Sequence, residues 1–294
     1  MTNRFHDKLR SGDFVVTTEL TPPKGIDLSE LLAKAQLLAP SVDAMNLTES
    51  PRARMAIEPK SVARLLLDRG IEPIVQMTAR DRNRIALQAD LLGAALSGIG
   101  NFVFMTGDSP KNGDHPDAKP VFDLTTVEIL EAARALAGGH DMAGNPLKGT
   151  PSLFTGATAN PGASDLAKEF EGTRRKVQAG AQFLQTQAVF DVQAVKGYLE
   201  GAGLAGTALL AGIIPLKSAK MAGWLNANVP GIRVPEALIE EMQAAARDGR
   251  EEQAGIDIAV RLIRGLRGVC SGVHVMAIGW EAHVPAILHA SGLR

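Results

Sequence analysis

Eight short apolar runs, each followed by a stretch with helical spacing, recur along the whole of this 294-residue chain. The runs are FVVTTE (14–19), VDAMNL (42–47), EPIVQM (72–77), NFVFMT (101–106), SLFTGA (152–157), FLQTQA (183–188), TALLAGII (207–214) and GVHVMAI (272–278). Between them, segments such as LSELLAKAQLLA, RNRIALQADLLGAALSGIG, DLAKEFEGTRRKVQAGA and GIDIAVRLIRGLRG repeat apolar residues at three- and four-residue intervals. Several of these close on glycine, a helix stop signal. Strand followed by helix eight times over predicts a single-domain (β/α)8 TIM barrel spanning residues 1–294. An open doubly wound sheet is the competing arrangement for the same alternation. No linker rich in Pro, Gly or Ser divides the chain. The longest irregular segments are 107–123 and 138–151, and loops of that length are commonly functional or mobile.

Composition narrows the function. Hydrophobic residues make up 45% of the chain, enough for a sizeable core, and no apolar run reaches the ~20 residues that span a bilayer. The N-terminus MTNRFHDKLRSGDF lacks the apolar segment of a signal peptide. The single cysteine, Cys270, cannot form an internal disulfide. The expectation is a cytoplasmic protein that does not associate with membranes. Lys and Arg number 31 against 32 for Asp and Glu, and aromatics are only 4%, so neither a basic surface nor a stacking platform for nucleic acid is expected.

In a barrel of this kind the active site lies at the C-terminal ends of the strands. Those ends carry Glu19, Thr48, Gln76 with Thr78, Asp108, Asn160, Gln187, Lys217 and Trp280. Each alone is an ordinary turn residue or helix cap, but together they form a polar ring at the ends of greasy strands. Glu19 stands just before Leu-Thr-Pro-Pro, which turns the chain sharply. Burial at a barrel mouth raises a carboxyl group above its ordinary value of ~4.3, the condition for a general acid near neutral pH. Other signals carry less. GAGLAG (201–206) matches a dinucleotide fingerprint, but a helix precedes it and a strand follows, the reverse of what that fingerprint needs. Asp108, Asp114, His115 and Asp117 sit in a Gly/Pro/Asn-rich stretch that reads as a surface loop, and no metal is expected there. His274, inside the eighth strand, reads as a buried histidine with its hydrogen bonds satisfied.

A set of collinear motifs then resembles the methylenetetrahydrofolate reductase family. They are Glu-x-x-Pro-Pro (19–23), Thr48, Gly107-Asp108, Arg-Lys-Val-x-Ala-Gly-Ala (175–181), Thr186-Gln187, Phe190-Asp191, Ile214-Pro215 and Ile-Arg-Val-Pro (232–235). The resemblance implies a (β/α)8 barrel, without the regulatory domain of animal relatives, acting in one-carbon metabolism and methionine biosynthesis. It would pass hydride from NADH or NADPH through FAD to 5,10-methylenetetrahydrofolate, giving 5-methyltetrahydrofolate. It also implies a homo-oligomer. By the same resemblance Glu19 is the acid that opens the folate's five-membered ring, and Asp108 lies by the flavin and the pterin. Gln187 hydrogen-bonds the pterin, Thr48 sits by flavin and nicotinamide, and Arg175 with Lys176 neutralises cofactor phosphate.

The chain also departs from the family pattern. Thr106 stands where an arginine usually precedes Gly-Asp, and Gln76 where a histidine follows strand three. Gly156 and Asn160 replace the tyrosine and histidine that face FAD, and Trp280 replaces an arginine that helps hold the folate. The sequence GATANP (156–161) resembles a variant loop of distant bacterial members. Competing readings are a flavin-independent reductase with direct hydride transfer, a pterin-binding methyltransferase barrel, and a non-catalytic folate-binding subunit.

Overall fold

The computed structural model describes residues 4–204 and 206–293. Eight parallel strands close into a barrel in sequence order: β1 (Val15–Leu20), β2 (Ala44–Leu47), β3 (Pro73–Thr78), β4 (Asn101–Met105), β5 (Phe154–Ala159), β6 (Phe183–Ala188), β7 (Ala208–Ile213) and β8 (Gly272–Val275). The (β/α)8 expectation holds, and the open sheet is ruled out by pairing of β8 with β1. Helix α1 (Arg4–Arg10) precedes the barrel. α2 (Ser29–Leu38), α3 (Pro59–Leu67), α4 (Arg84–Leu96), α5 (Thr126–Ala137), α6 (Leu166–Ala179) and α7 (Val192–Ala202) then each follow one strand. Three helices, α8 (Ala219–Asn228), α9 (Glu236–Arg247) and α10 (Glu251–Leu266), lie between β7 and β8, and α11 (Val284–Ala290) follows β8.

Short polar residues start these helices by satisfying free backbone N–H groups. Thr125 and Glu128 form a reciprocal capping box on α5, and Asn83, Asp165, Asp191 and Ser218 cap α4, α6, α7 and α8. The glycines of 201–206 do what helix termination requires: Gly203 adopts the left-handed conformation just past α7, and β7 begins at Ala208. Ala205 of that motif lies outside the described residues.

Alternation along the strands builds two cores. Outward residues such as Val16, Leu47, Val75, Phe102, Leu184 and Val273 pack beneath the helices. Inward residues Val15, Ala44, Ile74, Val103, Phe154, Phe183 and Leu210 meet at the N-terminal end, where Phe5 of α1 closes the barrel. The Phe5, Phe154 and Phe183 rings lie 5.1–5.6 Å apart, a mixture of edge and stacked contacts. This sealed end is the floor.

One strand boundary corrects the sequence reading. The fifth strand is β5 at Phe154–Ala159 and not 152–157, which carries Gly156 down into the barrel. A Cβ there would stand 2.6 Å from the Phe183 ring, so glycine is needed because a phenyl group fills its place. Gly156 therefore does not face the open end. The eighth strand is also shorter than expected and ends at Val275.

Candidate active site

A hollow of about 520 Å3 opens where the strands end. Glu19, Gln76, Thr106, Gly107, Asp108, Asn160, Lys176 and Gln187 all line it. A hollow of about 600 Å3 lies toward the opposite end, but its charged groups are only Glu72 and Lys148, and leucines and glycines supply much of the rest. The convergent polar groups line the mouth.

Below Glu19 the middle of the barrel is polar, which the strand pattern did not advertise. Thr17, Asn46, Gln185 and His274 are all nearly fully buried. Asn46 Nδ2 donates to Gln185 Oε1 at 2.6 Å, and Gln185 Nε2 donates back to Asn46 Oδ1 at 3.1 Å and to Thr17 Oγ1 at 3.4 Å. Thr17 Oγ1 lies 2.9 Å from His274 Nδ1. Thr17 Oγ1 also lies 3.5 Å from Val273 O, so it can accept from Gln185 and from the imidazole or donate to either neighbour. The other ring nitrogen, Nε2, faces Glu19 Oε2 at 3.6 Å. A chain of buried polar groups thus runs from Asn46 to the carboxyl group that the sequence singled out as an acid.

Gln185 and Gln187 share a strand face by alternation, and the structure separates their roles. Gln185 spends its amide on Asn46 and Thr17. The β6–β7 register shifts between Gln185 and Ala188, and Gln187 sits at this irregularity, where such shifts re-aim side chains. Its Oε1 accepts from Ala188 N at 3.0 Å and its amide lines the hollow.

Asp108 follows Gly107, which has φ near 88° and leaves no room for a Cβ against Thr78 and Arg80. The Asp108 carboxylate accepts from Arg52 N at 3.1 Å, while its carbonyl accepts from the buried Arg80 guanidinium at 3.4 Å. Asp81 beside Arg80 holds that guanidinium charged, raising its pKa further. Behind it, Glu49 binds Arg82 through two oxygens at 2.7 and 2.8 Å and also accepts from Thr78 N at 2.6 Å. Burial opposes charge on Arg82, but hydrogen bonds to Glu49 outweigh it and raise its pKa. Sequence reasoning missed Glu49, Arg80 and Arg82. The arginines of Ala-Arg-Asp-Arg (79–82), directly after β3, were the available signal.

On the far rim, Lys176 of α6 donates to Thr158 O at 2.7 Å, and burial lowers its pKa. Asn160 N donates to Glu169 Oε1 at 2.8 Å, and the same oxygen accepts from Tyr198 at 3.1 Å. Three residues expected near a cofactor stand elsewhere. Gly156 lies against the Phe183 ring inside the barrel; Arg175, one residue from Lys176, points about a quarter-turn away on α6 and is exposed. Thr48 is buried outside the lining, and its Oγ1 has no hydrogen-bond partner among the described residues. Lys217 donates to Ile278 O, and Trp280 packs against His283; neither lines the hollow. Asp114 is engaged by Lys24, His115 and Met55 N.

These donors decide how well FAD fits. Glu19, Asp108 and Glu169 line the hollow against a single cation, Lys176, whose ammonium is already bonded to Thr158. A flavin diphosphate needs charge-assisted donors at both phosphates. The lining supplies one lysine and surrounds it with carboxylates, so a flavin diphosphate would have to lie outside this hollow.

A family model described as methylenetetrahydrofolate reductase matches residues 4–292. Methylenetetrahydrofolate reductase 2 of Schizosaccharomyces pombe is 23% identical over 76% of this chain, a match covering 36% of that protein. The 5,10-methylenetetrahydrofolate reductase of Pectobacterium carotovorum is 22% identical over 96% of the chain and 92% of its own length. Among solved structures, an uncharacterised Clostridium thermocellum protein that binds two copies of 5-methyl-5,6,7,8-tetrahydrofolic acid superposes with a TM-score of 0.62 at 15% identity, covering 98% of each chain. The EDTA monooxygenase of Chelativorans sp. BNC1 gives 0.58 at 14% identity, covering 96% and 95%. At those identities the likeness is one of fold.

Proposed function

The chain belongs to the methylenetetrahydrofolate reductase family, and from that premise we propose that it reduces 5,10-methylenetetrahydrofolate to 5-methyltetrahydrofolate with hydride from NADH or NADPH. The observation that carries this reading is the convergence of Glu19, Asp108 and Gln187 on one hollow at the strand ends. The folate's methylene carbon bridges two nitrogens. Glu19 delivers a proton to the bridging nitrogen that leaves, the carbon–nitrogen bond breaks, and the remaining nitrogen and methylene become an iminium. Hydride from the dihydronicotinamide then adds to that carbon and makes the methyl group. One proton and one hydride are consumed, and the oxidised nicotinamide departs.

The chain's own residues prepare these steps. His274 Nε2 faces the carboxylate that Glu19 becomes once its proton has gone. Gln187 presents an amide that donates and accepts at once, as a pterin edge requires. Asp108 and Glu169 favour the positive charge that develops on the iminium.

In this direct route no flavin intervenes between nicotinamide and folate. Nicotinamide and folate present uncharged reacting rings to this acidic hollow, and the diphosphate of NADH or of FAD alike would lie outside it. The test is oxidation of NADH and NADPH by protein whose absorption spectrum shows no flavin. Oxidation strictly dependent on methylenetetrahydrofolate, with 5-methyltetrahydrofolate as product, is expected. Activity that appears only after FAD is added would restore the flavin route.

A further inference from the structure

We propose that a basic hollow beside the mouth binds the anionic end of a substrate, a phosphate or a carboxylate group, while its uncharged ring reacts next door. This rests on the functional reading above. Both substrates of that reaction carry a reacting ring at one end and a strongly negative remainder at the other. The mouth repels that remainder, since Glu19, Asp108 and Glu169 outnumber Lys176 there.

The adjacent hollow has the opposite character. It encloses about 740 Å3 and is lined by Lys24, Arg52 and Arg54 against one carboxylate, Asp114. Its walls come from the loops after β1, β2 and β4, so it opens on the same face as the mouth. The Arg54 guanidinium has no hydrogen bond or ion pair among the described residues. That of Arg52 lies 5.7 Å over the Trp224 ring and has no carboxylate partner among them. Two uncommitted guanidinium forks suit phosphate or carboxylate oxygens, which they can bind through paired N–H groups.

The backbone that carries these arginines is held in a costly shape. Ser50, Arg52 and Ala53 have φ of 39°, 56° and 54°, left-handed values that non-glycine residues avoid. Such strain persists only where the surroundings over-determine it. Here the β4 loop does so: Asp108 accepts from Arg52 N at 3.1 Å, Asp114 accepts from Met55 N at 3.0 Å, and Gly113 presses against the Ala53 carbonyl. A solvated arginine pair needs no such clamp. Asp108 also lines the mouth, so one residue joins the two hollows.

The test compares wild type with Arg54→Glu, Arg54→Ala and a charge reversal on the outer face, Arg247→Glu. KM for NADH, NADPH and methylenetetrahydrofolate is measured at low salt, beside calorimetric binding of NADH and of 5-methyltetrahydrofolate with one and with three glutamates. Arg54→Glu should raise KM and dissociation constant for one substrate by roughly tenfold or more, with Arg54→Ala intermediate and Arg247→Glu unchanged. A rise confined to the nicotinamide identifies phosphate. A rise confined to the folate, with loss of any gain from extra glutamates, identifies carboxylate. Equal affinities of wild type and Arg54→Glu for every ligand would overturn the hollow's role. A wild type that binds these ligands yet never oxidises NADH or NADPH would instead count against the reading of function.

Discussion

At the floor of the barrel the inward positions are Val15, Phe154 and Phe183; two residues further along the same strands they are Thr17, Gly156 and Gln185. One rule of alternation builds both layers, yet the lower is a sealed aromatic plug and the upper a hydrogen-bonded polar tier beneath an open hollow. The difference teaches that stability and chemistry are stacked along one axis. Phe5, Phe154 and Phe183 close the bottom, which frees the middle layer from filling space with branched side chains. Thr17, Asn46, Gln185 and His274 can then satisfy one another and aim at Glu19.

Mutations at the two levels should separate these roles. Glu19→Gln removes the acid and keeps the shape. Methylenetetrahydrofolate reduction should slow by roughly 10²–10⁴-fold in steady-state kinetics, with the melting temperature unmoved. An unaffected rate would take Glu19 out of the chemistry. Phe183→Ala attacks the floor and should cost about 3–5 kcal/mol in urea unfolding, because it opens a cavity among Phe5, Phe154 and the side-chain-less Gly156. Molecules that remain folded should keep their turnover. Should activity fall while stability holds, the layers are not separable.

The middle tier gives a smaller effect on both scales. Thr17→Val takes the Nδ1 partner from buried His274 and one of the three hydrogen bonds from Gln185, and should cost about 1–3 kcal/mol. It should also lower kcat without raising the folate KM, because His274 loses the contact that orients it. Thr17→Ser should restore both. A change in KM alone would place Thr17 in substrate binding.

How legible was this in the sequence? The barrel was, because strand and helix periods alternate eight times and polar residues gather at the strand ends. That same logic put Glu19, Asp108 and Gln187 at the strand ends, and all three line the hollow. The polar middle tier was not legible. Thr17 and Asn46 lie inside runs that read as buried strand, and only pairing across the barrel shows that β1, β2, β6 and β8 bring their polar atoms together. Gly156 was misplaced because a two-residue error in one strand boundary moves a residue from the rim into the middle of the barrel. Arg175 was misplaced because adjacency in a helix separates side chains instead of joining them. Helix α1, which supplies Phe5, gave no warning of its role as a plug.

The smallest predicted effect is electrostatic. Burial lowers the Lys176 pKa below its ordinary 10.5. Between the lowered value and 10.5 the unfolded chain binds more protons than the folded one, so this lysine makes stability rise with pH across that alkaline window. Below the window the cost of burying its charge is fully present. Urea midpoints of wild type minus Lys176→Met should show that rise, and a flat difference would mean that the ammonium is solvated. A floor group behaves oppositely. Burial raises the pKa of Glu72, so its contribution favours the fold at acid pH and is lost as pH rises through the carboxylate range.

The central claim is that hydride passes at this mouth from nicotinamide to the folate's methylene carbon. The most direct measurement is a single turnover with NADH or NADPH deuterated at the transferable C4 position, in protein free of flavin by its absorption spectrum. The account predicts that the deuterium appears in the 5-methyl group of the product undiluted by solvent hydrogen, and that Glu19→Gln slows this transfer. Label lost to water, or turnover that needs added FAD, would contradict it.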